Sequence, residues 1–190
     1  MPSGIPGVAD FTVFPSRSVS SDIRQGVLET ILKDQQLAQF LQATLSGGLY
    51  LTDGRCYALP IPYLPDRPMP FACVYNVTEK RDLQLNFEAI LTTTIGISLV
   101  WNEDREVLAQ GSQGCEEFFA RVIFALLSDQ RLENTSIGRP NGRGLADYAA
   151  SIEIIDYKFW KSSSPDLVTV SRDMYIVYRT TVDAATSVAA

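Results

Sequence analysis

The chain contains no histidine. That absence removes the commonest general base, the Ser–His and Cys–His nucleophile pairs and the commonest transition-metal ligand, and with them most hydrolase mechanisms. Cysteine is scarce as well. Cys56, Cys73 and Cys115 are odd in number, far apart and free of any CxxC spacing, so neither a zinc site nor a disulfide framework is indicated. They read as reduced, at least partly buried, small apolar residues. No apolar run approaches the ~20 residues that a membrane helix needs, so no membrane partner is expected. Basic residues are in deficit, 16 against 22 acidic for a net charge of -6, the wrong sign for gripping phosphates by counterion release. Specific DNA binding is therefore not expected. The first twenty residues carry no basic side chain before Arg17 and lack the n-region and h-region of a secretory signal, so secretion by that route is not expected either.

What is present reads as one soluble globular domain with arms. At 190 residues, 46% hydrophobic and 20% charged, the chain should bury roughly 70% of the surface its unfolded form exposes, with no need of metal or disulfide support. No internal repeat is visible. Residues 1–20 show only the short alternation Phe11-Thr-Val-Phe14, ended by Pro15; they read as an N-terminal arm whose Phe11 and Phe14 are candidate contacts with a neighbour. From a cap at Ser21 or Asp22, Ile23, Val27, Ile31 and Leu28 or Leu32 recur at helical spacing, with Arg24, Glu29 and Lys33 facing away. The pattern falters from Lys33 to Gln36, resumes with Leu37, Phe40 and Leu41, and should stop at Ser46-Gly47-Gly48.

Pro60, Pro62, Pro65, Pro68 and Pro70 then exclude helix and central strand and imply a stiff extended link. Phe71 to Tyr75 reads as a strand ended by the charged cluster Glu79 to Asp82. Residues 92–101 alternate, with Ile95, Ile97, Leu99 and Trp101 on a core face and Thr94, Gly96, Ser98 and Val100 on the other. Cys115, Phe118, Phe119, Val122, Ile123 and Leu126 mark the clearest helix, with a Glu117 to Arg121 pair on its solvent side. Ile152 to Trp160 and Val168 to Thr180 form an expected antiparallel pair, bulged where the apolar phase slips between Ile154 and Ile155. The loop Asn134 to Gly144 between helix and hairpin reads as mobile. The fold class expected is α+β, a mainly antiparallel sheet with helices packed on one face. Its domain spans residues 21–182, and residues 183–190 form a flexible tail.

Chemical constellations are weak. Asp66 with Glu79, Lys80 and Arg81 could hold Mg²⁺ in a nuclease, but the spacing is loose and a solvated turn explains it better. Glu153 and Asp156 fall on opposite strand faces unless the bulge intervenes. Glu103-Asp104 and Glu116-Glu117 are expected in or near the first turns of the helix, where its macrodipole accounts for them. Asn76-Val-Thr78 and Asn134-Thr-Ser136 are chance matches to glycosylation sequons. The glycine- and arginine-rich stretch Gly138 to Gly144 neither follows a strand nor leads directly into a helix with a lysine and hydroxyl, so it reads as a flexible loop or contact arm rather than a phosphate cradle. Arg139 and Arg143, set in a chain of net charge -6, are suited to meet acidic groups on a neighbouring molecule. The hydroxyls of Thr94 and Ser98 lie on a face that meets either solvent or another subunit. No catalytic, cofactor or metal site is assigned.

The order of elements resembles the tail terminator proteins of long-tailed bacteriophages. The resemblance is carried by the helix containing Ile23-Arg-Gln-Gly-Val-Leu28, the loop leading through Pro70 into Phe71-Ala-Cys-Val-Tyr75, and the alternating strand Thr92 to Trp101. The helix ending Phe119-Ala-Arg-Val-Ile-Phe-Ala-Leu-Leu127 and the last strand, Met174-Tyr-Ile-Val-Tyr178, complete it. It spans roughly residues 22–180. The resemblance implies a structural virion protein assembled in the host cytoplasm, with no enzyme activity and no cofactor. The implied unit is a homohexameric ring that caps the tail tube, ends its elongation and offers the head-to-tail joining surface. Its implied partners are further copies of itself, the tail tube protein and the neck or head–tail connector proteins. An acidic lumen would let DNA slide through without sticking. Another neck or tail-completion ring subunit is the alternative. A Mg²⁺-dependent enzyme is the remote one, and would need Asp66, Glu79 or the Glu153 and Asp156 pair to converge on one ion.

Overall fold

The computed structural model describes residues 18–45, 52–58, 68–83, 88–104, 113–136, 144–160 and 167–183. In chain order the elements are α1 (Val19–Lys33), α2 (Gln35–Phe40), β1 (Thr44–Leu45), β2 (Thr52–Asp53), β3 (Cys56–Tyr57), β4 (Phe71–Leu83), β5 (Glu88–Asp104), α3 (Gln113–Ser128), β6 (Tyr148–Trp160) and β7 (Leu167–Asp183). The main sheet has the order β3-β4-β5-β7-β6, and only the short β3–β4 pair is parallel. The α+β class read from the sequence is the class observed.

Helix α1 begins earlier than the expected cap. Ser18 is the N-cap and accepts the amide of Ser21 at 3.2 Å, so the last residues assigned to the arm are helical. Asp22 then sits in the first turn, where a negative charge suits the helix dipole. The faltering at Lys33 to Gln36 is a restart. Asp34 ends α1 and caps α2, its Oδ1 accepting the amides of Gln36 at 3.0 Å and Leu37 at 3.1 Å. Arg121 Nε of α3 donates to the same oxygen at 2.7 Å. Burial alone would raise the Asp34 carboxyl; the guanidinium and the two amides outweigh it and hold the group below its ordinary value. Arg121 therefore ties α3 to the joint between α1 and α2, and not simply to Glu117 as expected. Helix α2 ends at Phe40, short of the predicted stop at Ser46, because the chain turns at Gln42 with φ 47° and enters β1. Gly54, between β2 and β3, has φ 116°, and a Cβ there would lie 1.9 Å from the Gln42 carbonyl oxygen. Only glycine fits that turn.

The helices cover one face of the sheet. Ile95, Ile97, Leu99 and Trp101 of β5 point into that core as their alternation required, beside Ala72 and Val74 of β4 and Val170, Met174 and Ile176 of β7. From α1 come Ile23, Val27, Leu28 and Ile31, and from α3 come Cys115, Phe118, Phe119, Val122 and Leu126. Each fully buried aliphatic or aromatic side chain contributes about 1.5–3 kcal/mol, so this layer is the main source of stability. Glu29 departs from the expectation that it faces solvent. It is 3% exposed, and its carboxylate accepts both the amide and the hydroxyl of Ser136.

The charged cluster Glu79 to Asp82 does not end a strand. β4 runs through it to Leu83, paired with β5 to the register Leu83↔Ala89. Glu103-Asp104 likewise lies at the end of β5 and not in a helix, where the Trp101 indole donates to Glu103. β5 and β7 pair without a slip from Glu88↔Asp183 to Asp104↔Leu167. β6 is bulged, as its apolar phase suggested, but the irregularities fall between Ala149 and Ser151 and between Ile155 and Lys158, on either side of the expected point.

Candidate functional site

The face of the sheet away from the helices holds a second, smaller cluster of Phe71, Cys73 and Val100, packed by Tyr57, Met69 and Tyr75. A polar line crosses the strands beside it. Ser98 is opposite Cys73 on one side and Asp173 on the other. Its hydroxyl donates to Asp173 Oδ1 at 2.6 Å, which leaves Tyr75 Oη as the donor in the 3.2 Å contact between Tyr75 and Ser98. Lys158 Nζ donates to the other carboxylate oxygen of Asp173. Tyr75, Ser98, Asp173 and Lys158 thus join β4, β5, β7 and β6 in one chain of hydrogen bonds.

Asp173 is 2% exposed, so its charge is tolerable only because both oxygens are engaged. A one-residue slip of β7 would carry it to the apolar face and leave it unpaired, which makes the line a lock on strand register. The hydrogen bond that Lys158 donates to Asp173, opposed by partial burial, holds the ammonium above its ordinary value, the reverse of what a base or nucleophile needs. Burial, partly offset by the Ser98 hydrogen bond, pushes the Tyr75 phenol up. Room for the Tyr75 ring comes from Gly96, where a Cβ would stand 2.6 Å from the ring.

The outer edge of β4 has a different character. Beyond the β3 pairings at Ala72 and Cys73, no described strand lies on that side, and residues 76–83 are all exposed. Glu79 pairs with Arg81 at 2.9 Å and Lys80 with Asp82 at 3.0 Å. Alternation puts one pair on each face, so both faces of the edge carry one charge of each sign. Asn76 and Thr78 flank an extra residue, Val77, that bulges out of the ladder. Charges and a bulge are the usual guards on an edge strand that must not pair indiscriminately.

The loop after α3 is anchored at both described ends. Glu29 holds Ser136, and Lys33 donates to the Asn134 carbonyl. Asp129 accepts the amides of Glu133 at 2.8 Å and Asn134 at 3.0 Å. On the far side Gly144, Leu145 and Ala146 are buried, and the Ala146 amide donates to Arg131 O at 3.1 Å. The expectation of mobility from Asn134 to Gly144 is therefore corrected at both ends, because core leucines at 132 and 145 pin the flanks. Arg139, Arg143, Phe11, Phe14 and Asp66 lie outside the described residues. Thr94 is half-buried and accepts the Thr78 hydroxyl at 3.0 Å. Ser98 is fully buried and its hydroxyl is bonded within the chain. The network partners Asp173 and Lys158 were missed from sequence, since only the strand pairing reveals that Asp173 faces Ser98.

All three cysteines are free and buried. Burial pushes the Cys56 and Cys115 thiols up to about 12 and raises Cys73 as well, which disfavours the reactive thiolate. Among the described residues no group of three acidic or sulfur ligands could hold a metal ion. A cavity of about 280 Å³ lies between Phe40 of α2, Met69 and Pro70, Trp101 and Glu103 of β5, and Cys115 of α3.

No family model matches the chain, and no curated protein sequence matches it. Among solved structures it is similar to a chain of the virion of a native gene transfer agent particle. The two are 14% identical over 86% of this chain and 99% of that one, with a TM-score of 0.46.

Proposed function

We propose that the protein is a structural virion protein, a tail terminator whose homohexameric ring caps the tail tube, stops its elongation and receives the neck proteins. The open outer edge of β4 carries this reading. Among the described residues the main sheet has β6 at one side and, past β3, the length of β4 that no described strand pairs at the other. A subunit with sheet edges on opposite sides is suited to head-to-tail contacts, the kind that close into rings. The register lock supports the same reading, because it keeps a long β5–β7 ribbon rigid under load from neighbours. The net charge of -6 suits a lumen that repels DNA. In this reading Arg139, Arg143, Thr94, Phe11 and Phe14 meet neighbouring subunits or the adjacent ring, and Ser98 acts from inside by holding the face flat.

Purified protein mixed with uncapped tail tubes and imaged in negative stain tests the proposal. Six-fold density at one tube end is the expected result. Protein along the tube walls, or never on tubes, refutes it. Binding to portal-bearing heads in place of tube ends would favour a neck ring subunit.

A further inference from the structure

Half of the amides and carbonyls of an edge strand point away from its sheet. On β4 those of residues 76–83 meet no strand among the described residues, and Val77 is 42% and Leu83 79% exposed. Eight residues are length enough for an added strand. The segment after β3 lies nearest in sequence, since β3 pairs with Ala72 and Cys73 and Ala58 comes next. It does not suit the whole edge. In an extended chain Pro60 and Pro62 fall on one side and Pro65 on the other, so whichever side is presented to β4 lacks an amide that the ladder needs.

Residues 1–17, which lie outside the described residues, supply a better match. Their one alternating run, Phe11-Thr-Val-Phe14, is bounded by Pro6-Gly7 and Pro15. Its attachment point is also well placed. Ser18 caps α1, and six residues on, Arg24 donates to the Ala58 carbonyl at 3.4 Å, beside the point where β4 loses β3 as a neighbour. Six residues of helix rise about 9 Å, and the four residues from Phe14 to Ser18 span about 13 Å when extended. A strand ending at Phe14 therefore reaches the Asn76 end of the edge more readily than Leu83, which is seven residues, about 23 Å, further along β4. Laid in that sense it is antiparallel to β4. Asp10, the one acid in residues 1–17, then comes level with Lys80 and Arg81. Their partners Asp82 and Glu79 are exposed neighbours on the same strand, pairs of the kind that exchange readily. We propose that residues 10–14 add to the outer edge of β4 in the same chain as an antiparallel strand, a guard that must leave before the edge can take a neighbour. The docking does not depend on a ring. Its regulatory consequence rests on the tail terminator reading, in which the same edge carries the contact between subunits.

Amide exchange of the whole chain, followed residue by residue by NMR, tests the docking. The outward amides of residues 78–82 should exchange about tenfold more slowly in the wild type than in Thr12→Pro/Val13→Pro, a variant that removes an amide from each side of the added strand. Thr12→Cys with Thr78→Cys or Glu79→Cys should close a disulfide within one chain under mild oxidation, and with Leu83→Cys should not; the native cysteines are buried and do not compete. Equal exchange in wild type and variant overturns the proposal, whether both are fast, as on a bare edge, or both slow, as under another segment. So does a disulfide that forms only between chains. Capping separates the guard from the ring reading. Protein locked by the disulfide should fail to cap tail tubes and regain capping on reduction. Capping by the locked protein overturns the guard and leaves the ring reading standing. A wild type that never caps refutes the ring reading alone, and exchange and cross-linking still decide the docking.

Discussion

Raising the pH should unfold this protein through its cysteines, in a range where an ordinary domain is only beginning to weaken. Cys56 and Cys73 are fully buried and Cys115 is 3% exposed. In the unfolded chain a thiol ionises near 9.0, whereas burial pushes Cys56 and Cys115 to about 12 in the folded state and moves Cys73 in the same direction. Between those limits the folded state holds protons that the unfolded state has released, so stability is complete below pH 9 and falls as pH rises toward 12. Each thiol contributes a slope of up to ~1.4 kcal/mol per pH unit. Three together reach ~4 kcal/mol per unit at most, enough to exhaust a typical stability of about 5–15 kcal/mol within a few units. Urea midpoints at pH 7 to 10.5 should therefore stay level to about pH 8.5 and then drop steeply. Cys56→Ala should lower the midpoint at every pH through the small cavity it leaves, yet remove about a third of the alkaline slope. A slope identical in wild type and variant would refute the reasoning. So would thiols that react with Ellman's reagent in the native protein at pH 8.

Three other outcomes follow from particular contacts. Tyr178 is fully buried and its hydroxyl has no hydrogen-bond partner among the described residues, so Tyr178→Phe should leave stability unchanged or raise it by up to ~1 kcal/mol; a loss beyond that would mean the hydroxyl is bonded. Gly96→Ala should displace the Tyr75 ring, break its contact with Ser98 and cost about 1–2 kcal/mol by chemical denaturation, while Tyr75→Phe should cost about 1 kcal/mol or less. Replacing residues 138–143 with a short Gly-Ser link, keeping buried Gly144 and Leu145, should hold the melting temperature within a few degrees while reducing tail capping or head joining. A variant that unfolds would place the loop in the core, and one that joins heads to tails normally would remove Arg139 and Arg143 from the contact.

Periodicity made much of this fold legible from the residues alone. The alternation Ile95, Ile97, Leu99, Trp101 fixed which face of β5 is core, and the spacing of Cys115, Phe118, Phe119, Val122 and Leu126 identified α3 and its buried stripe. Both are local signals repeated over several turns or residues, and they outlast any uncertainty at the ends. Element ends depend instead on single caps, which is why α1 begins at Val19 and why Asp34 splits the helical run. The zero histidine count and the net charge are likewise properties of composition and needed no structure.

Pairing belongs to the tertiary structure alone. A charged run such as Glu79 to Asp82 ordinarily argues against a strand, and here it is one because it lies on an edge where each side chain reaches water. Glu29 looked like a solvent-facing helix residue until the loop folded back to give it Ser136. Asp173 sits 75 residues from Ser98 in sequence, and no local pattern relates them. Their contact exists because β5 and β7 pair in one register, a choice made by the whole apolar face at once.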